Sequence, residues 1–326
     1  MPALPQWVAG ALIASVMLPA RAELAWEWLE RMNNAVRMQT YTGIAVLQSA
    51  DRVDTLKIAH RYTDGQEEER VVALSGEQRE VLRSGGEVQV LLPEQGLRVI
   101  ESDPGRGLLP ILGEAARQRV GQHYLLSLGS VPQRAAGRPA RDLRILPRDN
   151  WRWGYRILLD EQTAMPLELQ ILSAEERVLE RIQFAEIRFH DMLADEALRS
   201  PINPDLLETV RAPQAQVPPE LRRLESWQVP EPPPGFRLST RSWTRLPGAE
   251  APVVHWVFSD GLASVSVYAA PTTLSAPLAD YPESSGPVSM ARRRHDSVLV
   301  TAMGEVPLPT VQRFSAELKP MMEREP

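Results

Sequence analysis

The strongest constraint on the fold of this 326-residue chain is a series of short β-forming segments separated by turn signals. Apolar and polar residues alternate inside the segments, and dipeptides such as Asp64-Gly65, Ser75-Gly76 and Gly85-Gly86 separate them. The segments cover residues 42–49, 55–62, 69–74, 79–83, 87–92 and 97–101. Because short turns join antiparallel neighbours, this spacing predicts an antiparallel meander.

A second group of strands follows a predicted helix near residues 111–126. It covers residues 143–146, 151–160, 167–172 and 178–189. Alternation along residues 151–159 predicts one strongly apolar strand face, made of Trp151, Trp153, Tyr155, Ile157 and Leu159. Such a face must be covered by a helix, a second layer or a ligand. The predicted amphipathic helix 24–36 covers only part of it.

Proline divides the chain. Nine of the 29 prolines lie between Pro201 and Pro234, which predicts a stiff, extended connection. We therefore expect a large domain at 23–205, a linker at 206–235 and a small α+β domain at 236–320. The small domain is predicted to hold a hairpin at 253–268 around Ser259-Asp260-Gly261, a loop at 270–287, a strand at 297–303 and a helix at 309–318.

The N-terminus has the pattern of an export signal. An uncharged run at 7–19 precedes Ala20-Arg21-Ala22, whose small residues suit a signal peptidase. The run is shorter than the roughly 20 residues that a spanning helix needs. The sequence thus predicts a signal peptide at 1–22, cleaved near Ala22, and a periplasmic protein; a buried N-terminal helix is the alternative.

Composition excludes several kinds of chemistry. The chain has no cysteine, which excludes disulfides and thiolate ligands or nucleophiles, and its net charge of −6 does not favour binding to nucleic acid. Its five histidines are dispersed without metal-ligand spacing, and no Gly-x-Ser-x-Gly or phosphate-binding loop occurs. No catalytic residue, metal or cofactor is predicted, which favours a protein that binds rather than reacts.

An ordered set of motifs resembles the RseB/MucB family of periplasmic sigma-E regulators. The set includes Trp28-Leu-Glu-Arg-Met-Asn33, Tyr41-Thr-Gly-Ile44, Lys57-Ile-Ala-His-Arg61, Arg79-Glu-Val-Leu-Arg83, Ala136-Gly-Arg138, Trp153-Gly-Tyr-Arg156, Leu159-Asp160, Val178-Leu-Glu-Arg181, Ser259-Asp-Gly-Leu-Ala-Ser264 and Gly304-Glu-Val-Pro307. The resemblance runs from about residue 24 to 318.

This resemblance implies a mainly β protein without enzymatic activity. Its large domain would be an open antiparallel half-barrel with covering helices, similar to the lipoprotein carriers LolA and LolB. Its small α+β domain would bind the periplasmic part of a RseA/MucA-like anti-sigma factor and shield it from the site-1 protease. Lipopolysaccharide or mislocalised lipoprotein in a hydrophobic groove would release the partner during envelope stress.

Two sets of candidate residues follow. For lipid contact we expect Leu56, Ile58, Val72, Leu74, Val90, Trp153, Tyr155 and Ile157. For partner contact we expect Trp256, Phe258, Leu262, Val265 and Tyr268. Packing under helices or in the small domain's own core is the alternative role of these side chains. A lipid or lipoprotein carrier, an exported hydrolase and a binding protein of another kind remain alternative functions, and the sequence leaves homo-oligomerisation open.

Overall fold

The computed structural model describes residues 14–102, 117–211, 219–244, 252–271 and 283–320, with side chains of the first helix from Glu23 onward. Two sheets dominate it, one of thirteen strands and one of six. The helices are α1 Ala14–Met38, α2 Arg117–His123, α3 Asp195–Leu198 and α4 Leu308–Glu317, with short 3-10 segments at Pro93–Gln95, Pro204–Leu206 and Pro219–Ser226.

The large sheet has the spatial order β13-β6-β5-β4-β3-β2-β1-β12-β11-β10-β9-β7, with β8 paired to β9. Its strands are β1 Tyr41–Ser49, β2 Arg52–Thr63, β3 Gln66–Ala73, β4 Glu80–Ser84, β5 Glu87–Leu92, β6 Leu97–Ser102, β7 Tyr124–Leu128, β8 Gln133–Ala135, β9 Arg138–Pro147, β10 Gly154–Asp160, β11 Pro166–Leu172, β12 Val178–Phe189 and β13 Glu208–Arg211. Neighbours are antiparallel except β13, which lies parallel to β6. The predicted meander corresponds to β1–β6.

Helix α1 lies against one face of this sheet. It packs against β2 as well as against β7 and β9, which are far from β2 in the strand order. One helix can reach both only because the sheet curls around it. The fold is therefore mainly β, with a large open sheet wrapped around a helix, as the sequence predicted.

The small sheet has the order β15-β16-β17-β20-β19-β18 and carries α4 on one face. Its strands are β15 Arg237–Thr244, β16 Val253–Ser259, β17 Ser264–Pro271, β18 Glu283–Ser285, β19 Val288–His295 and β20 Val298–Gly304, and a separate ribbon pairs β14 Trp227–Gln228 with β21 Lys319–Pro320. The predicted hairpin and helix are confirmed as β16–β17 and α4.

Several predicted elements need correction. The strand expected at 151–160 begins only at Gly154, so residues 151–153 form a loop. Residues 124–126, expected to be helical, begin β7, while 111–116 lie outside the described residues. The loop expected at 270–287 contains the end of β17 and all of β18, and residues 272–282 lie outside the described part. Strands β15 and β19 were not predicted.

The segment predicted as a linker is partly structured. Residues 208–211 form the edge strand β13, and Leu224, Trp227 and Val229 belong to the buried core of the small sheet. In the described parts of the connection, 208–211 is therefore held against the large sheet and 224–229 against the small one.

Candidate ligand-binding trough and domain junction

The concave face of the large sheet forms a trough, and α1 fills one half of it. In that half Tyr155 lies opposite Ile145 and Ile171, and Ile157 lies opposite Leu143 and Leu169. These side chains form a single buried core with the α1 residues Ala25, Trp28, Leu29, Met32, Ala35 and Val36. Leu29 and Met32 are 0% and 2% exposed, so the protein's own side chains occupy this half.

The other half of the trough is less completely covered. A cross-strand row runs Ile58, Val71, Val81, Val90 and Val99 over β2 to β6. Ile58 and Val71 are buried in the α1 core, whereas Val81, Val90 and Val99 are only half-buried. We call Val81, Val90 and Val99 the open wall, because they form an apolar surface that α1 does not fully cover.

One end of the trough is polar. Tyr41, His60, Glu69 and Arg83 lie opposite one another on successive strands, one pleat period from the open wall. The Tyr41 ring stacks on His60 with centroids 5.2 Å apart, and Arg83 Nη1 lies 2.8 Å from Glu69 Oε1. Burial, reinforced by Glu69, raises the pKa of Tyr41, so its phenol stays protonated. We call this the polar end.

The register corrects two of the predicted lipid contacts. Val72 lies opposite Lys57, so it points away from the face that carries Ile58 and Leu56. Leu74, two residues further, follows Val72 to the outer side and is 53% exposed. Of the eight predicted residues, Leu56, Ile58, Tyr155 and Ile157 belong to the core that α1 fills, and Val90 belongs to the open wall.

The opposite end of the trough meets the small domain through a buried ion pair. Arg152 Nη1 lies 2.5 Å from Asp260 Oδ2, and both side chains are 0% exposed. Tyr124 donates its hydroxyl to the same Asp260 oxygen at 3.0 Å, and Arg152 Nε donates to Asp149 Oδ1 at 2.9 Å. Arg152 also donates to the carbonyl of Pro234. The guanidinium thus has acidic or carbonyl partners at each of its three nitrogens.

The Asp260 side chain is fixed by its own turn. Its Oδ1 atom accepts hydrogen bonds from the amides of Leu262 and Ala263, each at 2.8 Å. Burial, together with the Asp260 carboxylate, raises the pKa of Tyr124, so the phenol remains a donor. The turn of the β16–β17 hairpin therefore holds the Asp260 side chain in one orientation, with its Oδ2 atom facing the large domain.

Residues 149–153, which we call the junction loop, contact the small domain at several points. Trp151 packs against the small domain's core, and its carbonyl accepts a hydrogen bond from Thr310 Oγ1 in the first turn of α4. Trp153 donates its Nε1 hydrogen to the carbonyl of Pro287 at 2.8 Å. In return, Leu262 of the small domain packs against the core of the large one. Trp153 also packs against the core of the large domain, so it lies where the predicted strand face meets the junction, and its role in lipid contact stays a prediction.

A titratable histidine borders the junction. His123 Nδ1 lies 3.9 Å from Asp149 Oδ2, and its ring packs against Gly235. Burial and the nearby positive charge of Arg152 lower the pKa of His123, and the attraction of Asp149 and Asp260 only partly offsets them.

The predicted partner residues are mostly core. Trp256, Phe258 and Val265 are 1%, 4% and 0% exposed and belong to the cluster that α4 covers. Phe258 packs on Phe314 of α4 with ring centroids 4.8 Å apart. Their side chains cannot form a partner surface while the small domain is folded, which corrects that expectation. Tyr268 alone points to the other face, where it stacks on His255 at 4.3 Å.

Within the described ranges, no group of three or more His, Cys, Asp or Glu side chains has the geometry to hold a metal ion. None of the helices there is long and apolar enough to cross a membrane.

The helix-filled trough and the buried junction together define a two-domain protein built for binding. Comparison with known proteins identifies the group: the chain belongs to the MucB/RseB family. The family's N-terminal domain matches residues 24–202 and its C-terminal domain matches residues 222–319. This is a family of regulatory binding proteins, not of enzymes.

Similar proteins cover nearly the whole chain. The sigma factor AlgU regulatory protein MucB of Pseudomonas aeruginosa is 29% identical over 95% of this chain and 96% of its own length. The sigma-E factor regulatory protein RseB of Escherichia coli K12 is 25% identical over 96% of this chain and 97% of its own. The structure of the Pseudomonas aeruginosa MucA/MucB complex matches with a TM-score of 0.73 and 28% identity, covering 92% of this chain and 99% of that one. A crystal structure of MucB in complex with MucA(peri) matches with a TM-score of 0.70 and 29% identity over 92% of this chain and 100% of that one.

Proposed function

We propose that this chain is a periplasmic negative regulator of an envelope-stress sigma factor. It binds the periplasmic segment of a MucA/RseA-like anti-sigma factor and shields that segment from the site-1 protease. The observation that carries this proposal is the match to MucB over both domains, in a fold also seen in complex with MucA(peri). Residues 1–22 would serve as the export signal, 23–205 as the sensor domain, 206–235 as the connection and 236–320 as the partner-binding domain.

The trigger for release would be an acyl chain on the open wall. Val81, Val90 and Val99 offer an apolar surface, and each methylene that they bury contributes about 0.8 kcal/mol. The adjacent polar end suits the headgroup side of an amphipathic molecule such as lipopolysaccharide or a mislocalised lipoprotein. Four other predicted residues, Leu56, Ile58, Tyr155 and Ile157, are closed to a ligand as long as α1 stays in place.

The test measures partner binding and lipid response together. The mature protein is titrated calorimetrically with the periplasmic segment of the anti-sigma factor from the same genome, with and without purified lipopolysaccharide. We expect tight binding that lipopolysaccharide weakens, and slower cleavage of the segment by the site-1 protease when the complex is present. Absence of binding in the lipid-free titration would refute the proposal. Lipid binding without any partner binding would favour the carrier function.

The open wall can be tested by a matched pair of variants. Val90 and Val72 are both half-buried valines of neighbouring sheet regions, but only Val90 faces the trough. Val90→Asn should weaken binding of a fluorescent acyl probe about tenfold, since a buried amide without a partner costs roughly 1–3 kcal/mol. Val72→Asn should leave probe binding unchanged. Equal effects of the two substitutions would place the lipid elsewhere.

A further inference from the structure

The junction loop occupies a special position between the trough and the small domain. Its last residue, Trp153, is followed at once by Gly154 and Tyr155, and Tyr155 is part of the core that α1 and the trough share. Its other residues are fixed to the small domain by Arg152–Asp260 and by Trp151–Thr310. A shift of β10 therefore cannot occur without moving or breaking these contacts, since packed cores do not deform continuously.

The small domain also touches the trough at a second point. The turn between β18 and β19 brings Gly286, with a φ of 57°, against the β1–β2 turn. A β-carbon built on Gly286 lies 2.6 Å from Ser49 Oγ and 3.7 Å from the carbonyl oxygen of Leu179 at the start of β12. The small domain thus closes the end of the trough that lies opposite the polar end.

These contacts place the small domain where a tail lying along the trough would arrive. A headgroup bound at the polar end would direct its tail past the open wall toward the β1–β2 turn, which Gly286 contacts. Both the tail and the displaced α1 side chains would then press on β10 and on this turn. A ligand changes a distant site only by binding one state better than another, and here the two states would be the docked and undocked small domain.

We propose that undocking of the small domain from residues 149–153 and from the β1–β2 turn is the step by which an acyl ligand releases the anti-sigma factor. This proposal rests on the proposed function and adds the structural route by which lipid binding would lead to release of the partner. Arg152–Asp260 and Trp153–Pro287 are positioning contacts in it: they hold the docked state that binds the partner and touch neither lipid nor partner.

A reversible tether tests this route. In Ser49→Cys/Gly286→Cys the two β-carbons lie at most about 4 Å apart, within the range of disulfides. The chain has no native cysteine, so the oxidised protein carries one cross-link and the reduced protein is its own control. The readout is the ratio of partner Kd values with and without lipopolysaccharide.

The expected results differ for the two redox states. Lipopolysaccharide should raise the partner Kd about tenfold for the wild type and for the reduced variant, within the usual range of allosteric coupling. It should change the Kd less than about twofold for the oxidised variant, because the tether prevents undocking. Full release from the oxidised protein, or failure of the two cysteines to cross-link, would overturn the proposal.

A second variant acts in the opposite direction. Asp260→Asn leaves the buried Arg152 guanidinium without its carboxylate and weakens docking, so its partner Kd without lipid should already approach the lipid-bound value of the wild type. An unchanged lipid ratio in this variant would contradict the route. A wild-type protein that binds the partner but ignores lipopolysaccharide refutes the proposed function and its route together, whereas the cross-link would still form.

Discussion

Asp260→Asn removes the charge of the junction without disturbing its turn. An asparagine keeps the Oδ1 atom that accepts hydrogen bonds from the Leu262 and Ala263 amides. The Arg152 guanidinium, by contrast, loses the carboxylate that lies 2.5 Å away inside a fully buried site. The new Nδ2 group cannot accept the hydrogen bonds of Tyr124 and Arg152, so the substitution removes the charge together with these two bonds and keeps the turn.

The structure sets the size of the effect. Removing one partner of a buried ion pair typically costs about 3–5 kcal/mol, because the remaining charge stays buried. Asp149 still faces Arg152 at 2.9 Å, so we expect the lower part of that range, about 3 kcal/mol. Adding Arg152→Met should recover about 2 kcal/mol of this loss, since no unpaired buried charge then remains.

Urea unfolding, followed by tryptophan fluorescence and circular dichroism, measures these differences. Trp151 and Trp153 lie in the junction, so a fluorescence change that precedes the loss of circular dichroism would report separation of the domains. The matched control is Glu186→Gln, whose pair with Arg188 has the same 2.5 Å separation but is exposed. It should cost about 0.5 kcal/mol or less. If Asp260→Asn is no more costly than Glu186→Gln, the junction is not held by a buried charge.

Two further predictions concern pH and packing. Because the pKa of His123 is lowered in the folded protein, the unfolded chain binds a proton at a higher pH than the folded chain does. The stability that neutral His123 contributes is therefore present above about pH 6.5 and is lost as the pH falls. In urea titrations the wild type should lose more stability than His123→Gln between about pH 7.5 and 5.5, and equal losses would contradict this. Gly43→Ala should lower the midpoint of thermal unfolding, because its β-carbon would lie 2.7 Å from Phe184 Cε1 and 2.8 Å from the Glu186 carbonyl oxygen. Gly85→Ala is the control: its β-carbon would meet no neighbour within 4 Å, but its φ of 59° is strained for alanine, so it measures backbone strain without close contact.

The strands could be predicted from their own residues, but their relative register depends on the turn that joins them. Alternation along β2 correctly groups Leu56 with Ile58, and alternation along β3 groups Val72 with Leu74. Nothing in either segment says whether Val71 or Val72 lies opposite Ile58, and a one-residue difference moves a side chain to the other face. The two-residue turn at Asp64-Gly65 fixes the pairing of Thr63 with Gln66, and counting back from it would have placed Val72 outside.

Burial against another domain is a second limit on sequence reasoning. The alternation of Trp151 and Trp153 with Tyr155 is that of a longer strand, although Trp151 packs against the small domain's core. Trp153 packs against the large domain's core but donates its indole hydrogen to Pro287 of the small domain. Strand β19 carries Arg292, Arg293 and Arg294 in succession, which conceals its alternation. The burial of Trp256 and Phe258 could have been predicted from the sequence. The predicted helix 309–318 has an apolar side with Val311 and Phe314, and the hairpin offers the apolar face that can cover it.

The free energies of tail burial and of domain undocking explain why the regulator would respond to long acyl chains. Undocking hydrates both charges of the Arg152–Asp260 pair, so it leaves no buried charge unpaired. A ligand that moves the equilibrium from about 99% docked to about 99% undocked must favour the undocked state by about 5.5 kcal/mol. At about 0.8 kcal/mol for each methylene buried only in the undocked state, roughly seven methylenes supply this difference. Short amphiphiles would bind the open wall without moving the small domain, whereas lipid tails have enough methylenes to do both. The stability of the docked junction would thus set the chain length at which lipid binding releases the partner.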